Sequence, residues 1–421
     1  MKVFADLHLH SKYSRGTSRY MDIFHLSSAA KKKGLNLLGT GDFTHPLWFK
    51  EIKSRLSEHA EGVYEFDGIY YLLTCEVCNT FEREGKTRRI HNLILAKDFA
   101  CVEQVNEILK RYGNLEKDGR PTLTLPCEEM VELLKGEVKD VEIIPAHIWT
   151  PWFSLFGSRS GFNSVRECFG EESRKILALE TGLSSDPAMN WRLSELDGFA
   201  LVSFSDAHSP STLRLGRECC VFELKDLSYD SLIRAIRKRD EKRFIFTIEV
   251  DPSYGKYHYD GHRKCGISLH PKEAMKYANL CPVCGKPLTV GVLHRVEELA
   301  DREEGYVPKH AIPFKKLLPL REIISHTIGE NTNSAKVVKI EEKLIRHFGS
   351  ELAVLLHAEE AELRKIAGER IAENVMKNRR EEIRIVPGYD GVYGIPLFGE
   401  ESKSEKPERG KILQRRIDSF F

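Results

Sequence analysis

Short apolar runs alternate with amphipathic stretches over roughly the first 250 residues. The runs read KVFADLHLH, LNLLGTGDF, YYLLTCEV, HNLILA, VEIIPAHIW, KILALETGL and ALVSFSDAH. Continuous apolar runs are typical of strands that are covered on both faces. The stretches between them, such as residues 23–33 and 127–134, have helical spacing. This alternation predicts an α/β fold with a parallel barrel or an open parallel sheet.

The pattern changes beyond residue 250. Residues 251–304 are rich in Gly, His, Cys and Tyr and have few apolar positions, whereas residues 305–398 contain helical spacing and a turn-rich end. Within residues 399–421, the stretch EESKSEKPERGK is mostly charged, which predicts disorder, and the chain finishes in the short motif LQRRIDSFF. We therefore expect four parts: 1–250, 251–304, a helical domain at 305–398 and a tail at 399–421.

Residues that bind metals recur where the predicted strands end. A lone histidine at a strand end is more often structural, but repeated histidines beside Asp and Glu indicate a shared site. In a barrel, catalytic groups belong at the carboxyl ends of the strands. Mixed imidazole and carboxylate ligands suit zinc, manganese or iron, and eight are too many for one ion. The candidate ligands are His8, His10, Asp42, Glu76, His91, His147, Asp206 and His208.

These segments resemble a known superfamily. DLHLH, GDFTH, the Glu76 strand, His91, PAHIW and SDAH look like the successive motifs of the PHP (polymerase and histidinol phosphatase) superfamily. The resemblance implies a distorted (β/α)7 barrel that holds two or three metal ions and hydrolyses phosphoesters. Two departures favour two ions: Ser14 and Arg15 replace a further ligand, and Asp42 stands in an altered motif with His45 as a substitute.

The chemistry expected of such a site is hydrolysis by metal-activated water. Clustered ions lower the pKa of a water molecule and stabilise the leaving oxygen. We expect Glu76 and Asp206 to bridge the ions, which are Zn²⁺ or, in catalysis, Mg²⁺ or Mn²⁺. Glu180 either orients a ligand or acts as an acid or base. Arg15 either neutralises the phosphate or forms a salt bridge on the rim.

A second pattern of metal-binding residues lies at residues 262–284. His262-x2-Cys265 and Cys281-x2-Cys284 are separated by fifteen residues. Two such knuckles are typical of a structural zinc site, and a segment with little core needs metal to fold. His258 and His270 are alternatives to His262. The competing interpretation is that the thiols simply pack. Zinc ribbons bind nucleic acids or proteins.

The last residues match a peptide motif. Gln414, Ile417, Phe420 and Phe421 follow the spacing Q-x-x-aliphatic-x-x-aromatic-aromatic of peptides that bind the sliding clamp PCNA. The alternative is a tail that folds back onto its own domain. Upstream, LRKIAGERIAENVMKN loosely resembles the second half of a helix-hairpin-helix element, although an ordinary packed helix pair is the favoured interpretation.

The order of barrel motifs, finger, helices and clamp motif resembles the endonuclease Q family of archaeal DNA-repair enzymes across essentially the whole chain. The resemblance implies incision 5′ to hypoxanthine, uracil, xanthine and abasic sites in damaged DNA. An enzyme that inspects a base must unstack it. Candidates for a base pocket are Asn79, Phe81, Trp149, Trp152 and Phe153. The alternative is that these aromatic side chains only pack the rim.

Composition narrows the alternatives only slightly. The net charge of +1 neither favours nor excludes DNA, and no apolar run approaches the roughly 20 residues of a membrane span. Charged residues reach 30% and glutamine occurs twice, which is typical of thermophilic proteins. We expect a cytoplasmic, nucleoid-associated protein. The competing functions are a PHP phosphatase or phosphodiesterase on small phosphoesters and a non-catalytic scaffold.

Overall fold

The computed structural model describes residues 1–398, which form two compact units. The first unit comprises Met1–Glu249 and Leu299–Lys315. The second comprises Val250–Glu298 and the described part of Lys316–Phe421. The finer division into four parts stays a prediction.

The first unit contains most of the strands, and helices or loops connect them. Its strands are β1 (Lys2–Asp6), β2 (Leu37–Gly39), β3 (Ser57–Ala60), β4 (Val63–Phe66), β5 (Ile69–Arg83), β6 (Lys86–Ala96), β7 (Thr122–Leu123), β8 (Val141–Pro145), β9 (Ala178–Glu180), β10 (Ala200–Val202), β11 (Cys219–Glu223) and β12 (Phe244–Glu249). Its helices are α1 (Ile23–Lys33), α2 (Pro46–Arg55), α3 (Phe99–Leu109), α4 (Cys127–Glu137), α5 (Val165–Phe169), α6 (Pro187–Asn190) and α7 (Tyr229–Lys238).

The remaining elements follow residue 250. The strands are β13 (Asp260–His262), β14 (Ile267–Leu269), β15 (Phe314–Lys316), β16 (Arg384–Val386) and β17 (Ile395–Leu397). The helices are α8 (Pro271–Lys276), α9 (Val292–Leu299), α10 (Leu320–Ile328), α11 (Ala335–Phe348), α12 (Glu351–Leu356), α13 (Glu360–Ala367) and α14 (Glu369–Arg379). Gly368 joins α13 to α14 with a φ of 88°, a backbone region that favours glycine.

The main sheet is mixed rather than wholly parallel, which corrects the parallel arrangement expected from the sequence. Within residues 1–398 it contains eleven strands, and β9 and β10 form a separate parallel pair. β1, β2 and β5 run parallel, whereas β6 is antiparallel to both β5 and β8. The reason is local. A tight turn at Glu84 and Gly85, both with positive φ, joins β5 directly to β6, and only antiparallel strands can be joined in this way.

Hydrogen bonds extend the strand network at two further places. Leu177 N donates to Ile143 O at 3.0 Å and so links the start of β9 to β8. His10 N donates to Ala207 O at 3.1 Å and links the segment after β1 to the segment after β10. Polar residues that follow β1, β8 and β10 are therefore brought towards one another. The closed barrel of seven strands stays a prediction.

The apolar side chains of the predicted strands form the buried core of the first unit. Val3, Leu72, Leu93 and Phe204 are fully buried in one cluster with residues of α7. α7 begins at a capping box, in which the Ser228 side chain accepts a hydrogen bond from Ser231 N and the Ser231 side chain accepts one from Ser228 N. Among residues 1–398, no helix is both long enough and apolar enough to cross a membrane.

Candidate metal centre

The strands deliver the predicted ligands to one place. His8 and His10 lie just after β1, His147 just after β8, and Asp206 a few residues after β10. β5 and β6 contribute from within the sheet, because the register that pairs Cys78 with His91 places His91 close to Glu76.

Two groups of ligand atoms result, and Glu76 belongs to both. His8, His10, Glu76 and Asp206 form the first group, and Glu76, His91 and His147 form the second. In each group the ligand atoms lie within 4.8 Å of one another. Glu76 Oε1 lies 2.7 Å from His91 Nδ1 and 3.0 Å from His147 Nε2, while Glu76 Oε2 lies 3.2 Å from His10 Nε2. One carboxylate therefore joins two clusters that could each hold an ion.

The donor set fits divalent metal. All the side chains of both groups are buried except that of Asp206, which is 32% exposed. His8 Nε2 is fully buried, points towards Glu76 Oε1 at 3.6 Å, and makes no hydrogen bond within the described chain. A buried imidazole nitrogen without a hydrogen bond needs another partner. Imidazole with carboxylate is a set that suits zinc, manganese or iron.

Two further carboxylates lie behind the histidines. Glu180 accepts a hydrogen bond from His8 Nδ1 at 2.9 Å and another from His147 N at 2.7 Å. Asp42 accepts one from His10 Nδ1 at 3.1 Å. Carboxylates in this position fix the tautomer and the orientation of an imidazole ligand. The sequence predicted Asp42 as a direct ligand, but the structure places it outside both ligand groups.

The hydrogen bonds to Asp42 give the physical reason. Its Oδ2 accepts from Ser11 N at 2.6 Å, Ser11 Oγ at 2.7 Å and Ser14 Oγ at 2.8 Å. With Oδ1 facing His10 as well, both carboxylate oxygens are engaged by the protein. Ser14 stands where the PHP motif has a further metal ligand, and in this structure it donates a hydrogen bond to Asp42.

Opposing charges set the pKa values. Burial lowers the pKa of His8, but Glu180, Glu76 and Asp206 together raise it well above its usual value. Burial alone would raise the pKa of Glu76, yet His91, Arg120 and His8 hold it well below its usual range. At His91, burial outweighs the attraction of Glu76 and lowers the pKa to about 4. A neutral imidazole is the form that binds metal.

Three residues of this site have a left-handed backbone conformation. Asp42, His147 and Asp206 have φ values of 46°, 32° and 48°, a region that L-residues adopt uncommonly and that Asp and His adopt more often than most others. Gly182 passes so close to His147 that a Cβ at position 182 would lie 2.5 Å from the His147 Cβ. Strained residues of this kind cluster at functional sites.

A cavity of about 740 Å³ opens beside the ligand groups. Trp152 and Phe153 lie on its wall and are 45% and 39% exposed. The Phe153 ring lies 5.0 Å from the His91 ring, and Phe153 O accepts a hydrogen bond from His91 N. His208 also lines the cavity, and its ring lies 4.5 Å from the His10 ring, outside the two ligand groups.

Three residues predicted for a base pocket do not line this cavity. Asn79 is fully buried and donates to Leu125 O at 2.9 Å. Phe81 is buried against Phe162, and the buried Trp149 donates through Nε1 to Asn190 Oδ1 at 2.7 Å. The physical reason for the first two is that β5 continues to Arg83, so that positions read as a loop belong to a strand.

The predicted substitutes and the predicted arginine also have defined places. His45 is buried, its Nε2 lies 3.2 Å from Glu116 O, and its ring stacks on Tyr13. The Arg15 side chain lines the cavity but is 75% exposed and faces Asp118 at 3.5 Å. Arg15 therefore forms the rim salt bridge that was the alternative to an inward position.

Sequence reasoning missed Arg120. Its Nη1 donates to Glu76 Oε2 at 3.0 Å, and its side chain lines the cavity. The segment NLEKDGRP combines four charged residues with a glycine and a proline, a pattern typical of an ordinary loop. Only the pairing of β7 with β5 brings this arginine to Glu76.

The second metal pattern also converges in space. One ligand atom from each of His262, Cys265, Cys281 and Cys284 lies within 4.8 Å of the others. Burial raises the pKa of the Cys281 thiol, but the N–H groups of Cys284 and Val283 outweigh this and lower it to about 6. The thiolate is the form that binds metal.

The competing histidines do not belong to this quartet. His258 is buried outside it, and His270 accepts a hydrogen bond from Lys272 N at the start of α8. The predicted clamp motif of Gln414, Ile417, Phe420 and Phe421 lies outside the described residues.

Comparisons with known proteins agree with this organisation. Residues 319–382 match the family model described as the MJ0043 C-terminal domain. The chain is 37% identical over 255 residues to protein MJ0043 of Methanocaldococcus jannaschii, which covers 59% of this chain and 31% of that protein. It is 28% identical over 412 residues to YqxK of Bacillus subtilis, which covers 93% of this chain and 98% of that protein. The match thus spans less than a third of MJ0043.

A solved structure decides the family. The lesion-specific endonuclease PfuEndoQ of Pyrococcus furiosus superposes with a TM-score of 0.86 and 34% identity, over 97% of this chain and 98% of that chain. The chain belongs to the endonuclease Q family. A complex of endonuclease Q with a 27-mer duplex, which has an abasic lesion at the active site, gives a TM-score of 0.85 over 97% of this chain and 100% of that chain. The resemblance to endonuclease Q found in the sequence is therefore confirmed.

Proposed function

We propose that this chain is a metal-dependent DNA endonuclease that cuts beside damaged bases. The observation that carries the proposal is the pair of ligand groups joined by Glu76 at the edge of an open cavity. The match to endonuclease Q over nearly the whole chain supports DNA as the substrate. The incision lies 5′ to deaminated bases (hypoxanthine, uracil and xanthine) and to abasic sites.

The two groups would hold two ions, with Glu76 as the shared ligand. When bound, divalent ions in such a pair lower the pKa of a water molecule and stabilise the negative charge that develops on phosphate oxygens. Zn²⁺ suits the imidazole-rich donors, and Mg²⁺ or Mn²⁺ in catalysis is the alternative. His208 is the further imidazole that would complete the ligand set.

The surrounding residues hold this arrangement. Glu180 orients His8, and Asp42 orients His10. Both oxygens of the buried Glu180 lie within 3.0 Å of His8 Nδ1, which favours an orienting role. Glu180 also lines the cavity, so an acid or base role stays the alternative. We further propose that the links from β8 to β9 and from β10 to β1 close the strands into the (β/α)7 barrel.

The exposed aromatic side chains at the cavity suit an unstacked nucleotide. Trp152 and Phe153 present partly exposed rings beside His91 and His147. Stacking of a base on an aromatic ring contributes about 1–3 kcal/mol. A nucleotide whose base is mispaired or missing leaves the duplex most easily, which favours damaged sites. A phosphatase for small phosphoesters shares the metal chemistry but has no use for these rings.

Around this centre we propose three accessory parts. The quartet of His262, Cys265, Cys281 and Cys284 holds a structural Zn²⁺ in a ribbon-like finger at 251–304. The helices of 305–398 contribute to DNA binding. The tail at 399–421 binds the PCNA sliding clamp, in keeping with a cytoplasmic protein that works at the nucleoid.

Product mapping tests the proposed reaction. Labelled duplexes with uracil, hypoxanthine, an abasic site or only normal bases are incubated with the protein and Mg²⁺ or Mn²⁺. We expect one cut 5′ to each lesion, none in the undamaged duplex, and none with the Asp206→Ala variant. Release of phosphate from histidinol phosphate without incision of any duplex would favour the small-substrate phosphatase instead.

The aromatic contact has its own variant. Trp152→Ala is expected to weaken cutting of the uracil duplex while leaving the metal content unchanged. Phe24→Ala is the matched control, because Phe24 is an aromatic residue that is 62% exposed on α1 and does not line the cavity. Equal activity in the two variants would refute base stacking on Trp152.

A further inference from the structure

Two arginines line the cavity, and they differ in what holds them. Arg15 is 75% exposed and faces Asp118, on the rim. The Arg120 side chain is 25% exposed, and its Nη1 lies 3.0 Å from Oε2 of Glu76, the carboxylate shared by the two ligand groups. Arg120 thus brings a positive charge to the place where the ligand groups meet the cavity.

Strand pairing fixes the position of Arg120. β7 runs parallel to β5 with Thr122 opposite Cys78. Cys78 N also donates to Pro121 O at 2.9 Å. Arg120 is the residue directly before this pairing, so it is held near Glu76, which lies two residues before Cys78 in β5. The contact between them is therefore a consequence of the sheet and not of a chance surface conformation.

The backbone before Arg120 is anchored as well. Gly119 N donates to Tyr13 O at 3.0 Å, and Arg120 N donates to Asp118 Oδ1 at 3.2 Å. Gly119 lies so close to the metal site that a Cβ there would be 2.3 Å from Asp42 Oδ2. A residue held in this way presents its side chain with little loss of conformational freedom on binding.

The guanidinium has more donors than Glu76 uses. An arginine carries five N–H groups in a planar fork that matches the oxygens of a phosphate. One of them is directed at Glu76, and within residues 1–398 the side chain makes no other hydrogen bond. The remaining donors belong to a side chain on the cavity wall, beside Asp206 and His147.

We propose that Arg120 binds the non-bridging oxygens of the scissile phosphate, and that Glu76 holds its guanidinium beside the ligand groups. The inference rests on the proposed phosphodiester substrate and assigns to Arg120 the part that the sequence suggested for Arg15. Glu76 therefore has two tasks, because it joins the two ligand groups and orients the cation that receives the substrate.

The test uses the full-length, metal-loaded protein with inorganic phosphate as the probe. Arg120→Gln is expected to weaken phosphate binding, measured by calorimetry, by about ten- to a hundredfold, because a charge-assisted hydrogen bond is lost. The KM for the uracil duplex is expected to rise by a similar factor, with metal content unchanged. Lys117→Gln is the matched control: Lys117 is an exposed cation of the same loop that does not line the cavity.

Three results would decide against or in favour of the proposal. Lost metal content with unchanged phosphate affinity would overturn it and leave Arg120 as a support for Glu76. If Arg120→Gln does not fold, Arg120→Lys decides: it retains the charge but not the fork, so several-fold weaker phosphate binding supports the inference and wild-type binding overturns it. If the wild-type protein cuts no damaged duplex but Arg120→Gln still loses phosphate, the proposed function fails while the phosphate site stands.

Discussion

Asp42 illustrates how one carboxylate can serve a metal site without belonging to it. Its Oδ1 lies 3.1 Å from His10 Nδ1, so the proton of that imidazole is held on Nδ1. His10 Nε2 then faces Glu76 and Asp206 with a free lone pair. Asp42 is itself fixed by two serines, so the orientation of His10 is built into the fold.

The first prediction concerns this orientation. Asp42→Asn preserves size, but one oxygen becomes an NH2 donor, so the side chain cannot accept from both His10 Nδ1 and the two serines. We expect metal binding to weaken by about ten- to a hundredfold, measured by metal analysis after dialysis against graded metal buffers. Asp67→Asn is the control, because Asp67 is a carboxylate with a 55% exposed side chain and lies outside both ligand groups. Equal metal affinity in both variants would contradict the role given to Asp42.

The second prediction concerns the dependence of stability on pH. Burial of Glu249 outweighs its hydrogen bonds from Thr247, Ser203 and Thr181 and, with the repulsion of Asp186, raises its pKa to about 8 from a usual 4.5. The native state therefore keeps a proton that the unfolded chain releases. The contribution of Glu249 to stability is therefore most favourable below pH 4.5 and falls as pH rises towards 8, by at most about 1.4 kcal/mol per pH unit.

Glu249→Gln removes that contribution and preserves a side chain of similar shape. We expect a flatter profile of unfolding free energy between pH 5 and pH 8, measured by chemical denaturation. Asp6, whose pKa burial raises to about 6, acts in the same direction and supplies a residual slope in both proteins. Identical slopes for the wild type and the variant would show that Glu249 is ionised in the folded protein.

Residue types predicted much of the site, but not the partners of each residue. Ligand-forming side chains recur at strand ends, and this pattern predicts six metal ligands that the structure brings together: His8, His10, Glu76, His91, His147 and Asp206. The place of Asp42 could not be read in this way, since sequence does not show which nitrogen of an imidazole a carboxylate faces. Arg120 was missed because its neighbour Glu76 is 44 positions away.

At the scale of elements, the loop before β7 is packed against the metal site. Gly119 is required there, because any larger residue would overlap Asp42 Oδ2 and Ser14 Oγ. Thr44 Oγ1 donates to Gly119 O at 3.2 Å, which ties the loop to the residues after β2. A substitution in this loop is therefore expected to shift Asp42 and, through it, the orientation of His10.

The third prediction is that Gly119→Ala lowers the unfolding free energy by about 1–3 kcal/mol through overpacking and weakens metal binding through the shift of Asp42. Gly136→Ala is the matched control. Gly136 lies in α4, and a Cβ added there would meet no atom within 4 Å, so alanine is expected to stabilise the protein by about 0.5–1 kcal/mol. Thermal and chemical denaturation give both values, and a stabilising Gly119→Ala would contradict the close contact.

The fourth prediction concerns the zinc quartet. Cys281→Ser is expected to release one equivalent of metal and to expose the amides of residues 260–290 to hydrogen exchange, because so small a core cannot fold without its ion. Amides of β5 are expected to keep their protection. Cys101→Ala, a thiol outside the quartet, serves as control. Unchanged metal content in Cys281→Ser would mean that the thiols only pack.

Element types were predictable where a pattern was local. YYLLTCEV and HNLILA were predicted as strands and are parts of β5 and β6. Their extension into the charged segment around Glu84 and Gly85 was not predicted. Residues 84–87 are exposed and polar, so this end of the hairpin lacks the apolar run that predicts a buried strand. The same extension explains why Asn79 and Phe81 lie in a strand.

At the scale of the whole molecule, some features depend on segments far apart in sequence. Leu299–Lys315 returns to the first unit after the chain has built part of the second. Asp301 Oδ1 accepts a hydrogen bond from Ser194 N, and Arg302 donates to Asp197, so this return is held by contacts over more than a hundred positions. No periodicity within residues 299–315 could have indicated it.

The fifth prediction belongs to the full chain with its tail. Replacement of both Phe420 and Phe421 by alanine is expected to abolish binding to the sliding clamp, measured by surface plasmon resonance, because the apolar plug is removed. Cutting of damaged duplexes without the clamp, and thermal stability, are expected to stay unchanged. Ser419→Ala changes a position between the motif residues and should bind as the wild type does. Equal binding by all three proteins would refute the motif.

The left-handed backbone at Asp42, His147 and Asp206 has a consequence for how sequences of this kind can change. Such a conformation costs a residue with a Cβ on the order of 1–2 kcal/mol relative to glycine, and less for Asp, whose short polar side chain forms local hydrogen bonds. At Asp42 the buried hydrogen bonds from Ser11 and Ser14 outweigh this cost. At His147, by contrast, a library screened only for heat resistance should enrich glycine or asparagine at the expense of activity. At this residue of the metal centre, a substitution that increases the free energy of unfolding is expected to lower the catalytic activity.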